Sequence, residues 1–195
     1  MKKLLLLTTI CLFGHFTDSN AQAAFRLGVK GGLNFANFNS DFDTDAKTGY
    51  HAGAFATFKF TKLAIQPEVI FSKQGAKLDI DGNELESNYS YINIPVIAKL
   101  YLLGGLNLQA GPQFGFLASA EQVYEGIEED VKDQLKGSEV SLGLGAGWDL
   151  PFGLTVDARY NLGLSDINDS DDSSAEAKNQ VFQVSVGYRL FELGN

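Results

Sequence analysis

From Val140 to Leu150 the chain reads V-S-L-G-L-G-A-G-W-D-L, an unbroken alternation. Val140, Leu142, Leu144, Ala146, Trp148 and Leu150 share one parity. Ser141, Gly143, Gly145, Gly147 and Asp149 share the other. A period of two over this length specifies a β-strand with one apolar face and one small, polar face. A nearly bare glycine face suits the crowded inside of a small closed barrel, with the apolar face turned outward to lipid.

Seven other segments repeat the rule: about 25–35, 50–60, 63–78, 89–101, 106–120, 154–164 and 181–191. In the first, Leu27, Val29 and Leu33 oppose Arg26, Gly28, Lys30 and Asn34. In the third, Ile65, Val69 and Phe71 oppose Gln66, Glu68 and Ser72. In the fourth, Ile92, Ile94, Val96 and Ala98 oppose Asn93, Pro95 and Lys99. Short turns at Thr61-Lys62, Leu103–Gly105 and Pro151–Gly153 alternate with long polar loops at about 39–48, 79–88, 121–138 and 165–180. Short connections on one side and long ones on the other are the pattern of outer-membrane barrels. An even strand number puts both termini on the short-turn, periplasmic side. The expected fold is therefore all-β, an eight-stranded antiparallel up-and-down transmembrane barrel with long extracellular loops. Two aromatic girdles are expected on its outer face. Phe58, Phe60, Tyr101, Trp148, Tyr188 and Phe191 would lie near the short-turn end, and Phe35, Phe71, Tyr91 and Phe116 near the long-loop end.

The beginning of the chain fits a secretory signal. Lys2 and Lys3 precede an apolar run from Leu4 to Phe16, followed by Ser19-Asn20-Ala21 and Ala21-Gln22-Ala23. The run is shorter than the ~20 apolar residues a spanning helix needs. Cleavage is expected after Ala21, with Ala23 the near alternative, so that 1–21 is the signal and 22–195 the barrel domain. Losing Lys2, Lys3 and Asp18 takes the net charge from −9 to −10. The only cysteine, Cys11, leaves with the signal, so no disulfide forms. The acidic balance leaves no basic footprint for nucleic acid.

The stretches FRLGVKGGLNFANF, LAIQPEVIFSKQG, YINIPVIAKLY and LQAGPQFGFL resemble the PorT-like outer-membrane β-barrel family of Bacteroidetes. The resemblance covers essentially all of the chain after the signal, with Gln66-Pro67-Glu68 and Ile94-Pro95-Val96 as landmarks. It implies an eight-stranded barrel in the outer membrane. The family's namesake is associated with type IX secretion, and no motif of this chain singles out that role.

Inward parity gathers Glu68, Lys99, Arg26, Lys30, Lys59, Asp157, Arg159 and Arg189 in the lumen. Closing strands three and four symmetrically across the 79–88 loop, around Gly82-Asn83, would set Glu68 opposite Lys99, as a buried carboxylate requires a partner. Eight strands give an interior just wide enough for side chains to fill, so the expected role of these charges is structural. Gly143, Gly145 and Gly147 would leave room for inward side chains such as Arg159 and Arg189. The long loops carry most of the acid, including Asp41, Asp43, Glu84, Glu86, Glu128 and Asp169. The run D-I-N-D-S-D-D lacks the glycine and spaced glutamate of an EF-hand and reads as a solvated loop. Gly126–Gly137 carries Ile127, Val131 and Leu135 at helical spacing, and a short helix is expected there.

The expected function is a structural, adhesion or interaction protein displaying acidic loops. The alternatives are a narrow ion or small-solute channel or a secretion-associated component, with a lipid-modifying enzyme further off. Catalysis would need a nucleophile with a base, and the one histidine after the signal, His51, has no serine at a matching spacing. No cofactor or metal site is expected. Expected partners are outer-membrane lipid and lipopolysaccharide, the barrel-assembly machinery during insertion, and an extracellular or periplasmic protein.

Overall fold

The computed structural model describes residues 23–39, 45–80, 83–124, 127–130, 137–164 and 178–194. The expected signal segment, most of the acidic loop side chains and the D-I-N-D-S-D-D run lie outside the described residues. The described residues form nine strands: β1 (Ala23–Asn39), β2 (Asp45–Phe60), β3 (Leu63–Ile80), β4 (Asn83–Tyr101), β5 (Leu106–Tyr124), β6 (Ile127–Asp130), β7 (Ser138–Asp149), β8 (Leu154–Gly163) and β9 (Lys178–Leu193). Eight of them close into an antiparallel cylinder in the order β4-β3-β2-β1-β9-β8-β7-β5, with β4 pairing β5 to seal it. The short β6 pairs only with the far end of β5, from Glu121↔Asp130 to Tyr124↔Ile127. Three tight turns at Thr61-Lys62, Leu102–Gly105 and Leu150–Gly153 join β2–β3, β4–β5 and β7–β8. Gly104 and Gly153 adopt positive φ there, a region that residues with a Cβ avoid.

The pairings fix the barrel's stagger. One row of partners runs Tyr91–Ser72–His51–Gly32–Ser185–Asp157–Gly147–Asn107–Tyr101. It leaves β4 at Tyr91 and returns to β4 at Tyr101, ten residues further along. Strand number and shear together set the tilt and the narrow bore. Along β3 the alternation is unbroken: Gln66, Glu68, Ile70 and Ser72 are buried, while Ile65, Val69 and Phe71 are exposed. The exposed residues along the middle of the strands are apolar, the inverse of a water-soluble sheet and the arrangement lipid demands.

Four expectations need correction. First, β3 and β4 pair four residues away from the symmetric register: Ala64, not Glu68, faces Lys99, and Ile65 faces Ala98. The ladder runs to Ile80↔Asn83, leaving only Asp81-Gly82 between the strands, a dipeptide suited to a two-residue hairpin. Much of the expected 79–88 loop is therefore strand. Second, Ile127–Asp130 is strand rather than helix, because pairing with β5 outweighs a stripe of three apolar residues; 131–136 lie outside the described residues. Third, Tyr91 and Tyr101 point inward, sharing the parity of Asn93 and Lys99, and are buried. Tyr91 packs with Tyr89, Leu117 and Ala120 as an apolar cluster inside the barrel. Fourth, the glycines of β7 do not make room for Arg189, which lies beyond the end of that strand and donates to Leu150 O.

Phe191 does reach the outer face, through a bulge. Leu27 pairs with Phe191 and Gly28 with Arg189, leaving Leu190 unopposed. The extra residue turns Arg189 and Glu192 to the same side. The register is testable in protein expressed from residue 22, which carries no cysteine. Ile65→Cys with Ala98→Cys should oxidise to a disulfide in the folded barrel, whereas Val69→Cys with Ala98→Cys, the pair of the symmetric register, should stay reduced. The reverse pattern on a thiol-labelling gel would reject this pairing.

Candidate functional site in the barrel interior

The interior is built by setting large polar side chains beside glycine. Lys30 has Gly53 and Gly187 as its two lateral neighbours. Asp157 lies beside Gly147, where an added Cβ would come 2.9 Å from Asn107 Oδ1 and closer still to Asp157 and Gln109. The side chains of neighbouring strands thus reach one another across the gaps.

Glu68 is the hub. It is 1% exposed. Arg159 grips it with both terminal nitrogens, Nη2 at 2.9 Å from Oε1 and Nη1 at 3.2 Å from Oε2. Gln66 Nε2 donates to Oε1 at 2.8 Å, and Lys30 Nζ lies 3.5 Å away. Lys30 also meets Asp157 at 3.3 Å. Asp157 accepts from Gln109, whose amide oxygen accepts from Arg159 at 3.0 Å. Lys99 bridges downward, 3.7 Å from Asp157 and 3.5 Å from Asp149. Asp149 accepts from Tyr101 Oη at 2.7 Å and lies 3.7 Å from Arg26. Arg26 pairs with Glu192 at 2.6 Å, as does Arg189 at 3.0 Å.

Seven of the eight expected lumen charges thus form one connected chain. Lys59 stands apart, its ammonium 4.3 Å from the centroid of the Tyr101 ring. Glu68 and Lys99 are not partners. The members that sequence reasoning omitted are Asp149, Glu192, Gln66, Gln109 and Tyr101. Asp149 was open to inference, since it stands on the inward parity of β7. Glu192 was not, because the bulge at Leu190 reverses its parity.

A second, neutral group lies further toward the long-loop end. His51 Nδ1 is 2.7 Å from Asn34 Oδ1, and Nε2 is 2.8 Å from Ser185 Oγ. The two side chains meet over Gly32, which pairs with both residues. Asn34 also donates to Ser72 and accepts from Gln183. Serine, imidazole and amide in this order match a nucleophile, its base and an orienting group. Sequence spacing cannot reveal it, because 134 residues separate Ser185 from His51. Yet Ser185 is 3% exposed and His51 2%, and a Cβ at Gly32 would already meet both residues. A substrate carbonyl has no room to approach, so the group is a packed hydrogen-bond relay. Among the described residues no cluster of three or more His, Cys, Asp or Glu is placed to hold a metal.

Removing one partner of a buried pair leaves the other charge uncompensated. Lys99→Met should therefore lower unfolding stability by about 3 kcal/mol, measured by urea titration in lipid vesicles with Trp148 fluorescence. Lys62→Met, at an exposed turn, should change it by less than about 0.5 kcal/mol.

The model of the family described as outer membrane protein beta-barrel domain matches residues 18–169. No curated protein matches the chain in sequence. Among solved structures, Neisserial surface protein A (NspA) superposes with a TM-score of 0.55 at 12% identity, covering 86% of this chain and 99% of its own. Ail, the attachment invasion locus protein of Yersinia pestis, superposes at 0.52 with 14% identity, covering 87% and 99%. At these identities the likeness concerns the fold, and it is the same small closed barrel. With its family model spanning most of its length, the chain belongs to the outer membrane protein beta-barrel domain family.

Proposed function

We propose that this outer-membrane barrel is a closed scaffold that presents its long acidic loops as a surface for interaction or adhesion, and that it conducts no solute. The observation carrying this reading is the filled interior: Lys30, Glu68, Lys99, Asp157 and Arg159 are each at most 5% exposed and are joined side chain to side chain. An eight-stranded bore has no width left for a solute once such side chains occupy it. The lumen charges then serve to plug and stiffen the cylinder. The long-loop sequences, rich in Asp and Glu, favour a basic partner, or divalent cations bridging the loops to lipopolysaccharide phosphates. In this account residues 1–21 are the secretion signal, the assembly machinery inserts the barrel, and the chain is a PorT-like protein of Bacteroidetes, as the motifs around Gln66-Pro67-Glu68 and Ile94-Pro95-Val96 suggest. A role beside a secretion apparatus is compatible with a closed barrel but has no motif of its own here.

A second reading, a narrow ion or proton path, is favoured by one observation. Asn93 Nδ2 and Oδ1, Gln113 Oε1, Ser141 Oγ and Asn161 Oδ1 are buried without hydrogen-bond partners in the protein, and they lie on adjoining strands β4, β5, β7 and β8. Such atoms are ordinarily satisfied by internal water, so a hydrated seam along one wall would offer a route for charge. Planar-bilayer recording of the refolded barrel separates the two. The closed scaffold requires no conductance steps above the bare membrane in wild type, with steps appearing in Arg159→Ala, where the central plug is cut. Steady steps in wild type would reject the scaffold and favour the seam.

A further inference from the structure

The short-turn mouth of the barrel holds a cavity of about 460 Å³. Its walls come from all three tight turns and from the end of β9. Arg26, Lys59, Lys62 and Arg189 line it, against only two carboxylates, Asp149 and Glu192. Those two are heavily shared. Glu192 serves both Arg26 and Arg189. Asp149 serves Arg26 and Lys99 and also accepts from Tyr101. Among the described residues Lys59 and Lys62 have no ion-pair partner; the Lys59 ammonium rests over the Tyr101 ring. The Arg189 side chain is 9% exposed. Its Nη1 donates to Glu192 and its Nη2 to Leu150 O, while Nε has no partner. A buried N–H left without an acceptor is costly. The mouth therefore combines surplus positive charge with an open volume, in a chain whose net charge is −9.

Pro151, Arg189 and Glu192 also line a second, adjoining cavity of about 310 Å³. Phe152, Gly153, Leu190 and Phe191 complete it, and Phe152, Leu190 and Phe191 are exposed apolar side chains. The cationic mouth thus adjoins an apolar groove.

We propose that the short-turn mouth is a phosphate-binding site. A surplus of two positive charges matches a phosphate ester better than a carboxylate, and charge-assisted N–H donors are its usual partners. The phosphate is carried either by a soluble ester entering the mouth or by a phospholipid headgroup whose acyl chains lie against Phe152 and Phe191. The protein's one tryptophan reports on the site. Trp148 Nε1 donates to Gly104 O at 2.8 Å, and Gly104 belongs to the cavity wall.

The test uses the chain from residue 22, refolded in a glucoside detergent free of phosphorus. Inorganic phosphate and dihexanoyl phosphatidylglycerol are titrated separately at constant ionic strength. Trp148 fluorescence and the phosphorus-31 linewidth are followed. Saturable one-to-one binding of either probe is expected, weakened at least about tenfold in the Lys59→Gln/Lys62→Gln double variant. Binding of phosphate alone identifies the soluble source, binding of the lipid alone the headgroup, and binding of both the shared chemistry. Lys62→Gln by itself, at an exposed turn, should fold normally and weaken binding by a smaller factor. Failure of both probes to bind wild type, or undiminished binding in the variants, would overturn the proposal.

Discussion

The charged interior of this barrel is organised around a carboxylate buried from solvent. Glu68 stands on the middle of β3, almost wholly buried, in a cylinder whose outside is lipid-facing. An ion so placed is tolerable only with opposite charge and hydrogen bonds at contact distance. Arg159 meets it bidentately, Lys30 and Gln66 complete its shell, and each of these is held in turn by Asp157, Gln109 or Thr57. The chain of partners continues through Lys99 and Asp149 to the short-turn mouth. Such a network is weak support for high stability, because the desolvation of its members offsets their attraction. Its consequence is specificity: the strands must assemble in the register that lets every charge find its partner.

The glycines make that register physically possible. In a narrow cylinder two large side chains cannot stand side by side on every row. One row places His51 and Ser185 on either side of the gap at Gly32, and further along it Asp157 and Asn107 on either side of the gap at Gly147. Lys30 between Gly53 and Gly187 is the clearest case, since its long stem needs both gaps to reach Glu68 and Asp157. The ten-residue stagger ties these rows together, bringing residues far apart in sequence to one depth in the lumen.

How much of this the amino-acid sequence discloses follows from what alternation can encode. Parity separates lipid from lumen, so the strands, the exposed band and the inward charges were all legible. Even Tyr91 and Tyr101 carried the inward parity of β4, and their aromatic character misled only because girdles favour tyrosine. Partnership is a different matter. A slip of four residues leaves every side chain on its own face, so alternation cannot distinguish Glu68 opposite Lys99 from Ala64 opposite Lys99. That choice shows only in the ladder itself, which runs to Ile80↔Asn83. The bulge at Leu190 hides Glu192 for the same reason: one extra residue reverses parity downstream. Long-range groups such as Ser185 with His51 depend on closure of the whole cylinder, which no local pattern records.

The apolar outer surface suits a membrane, and in the proposed reading the filled interior closes the barrel to traffic and leaves its two ends to meet other molecules. Both assignments rest on the central network being real and mutually dependent. A double-mutant cycle between Glu68→Gln and Arg159→Met, read as unfolding free energy in lipid vesicles, tests that most directly. A coupling energy above about 1 kcal/mol is expected, with the double variant less destabilised than the two single changes combined. Simple additivity of the two substitutions would contradict the account.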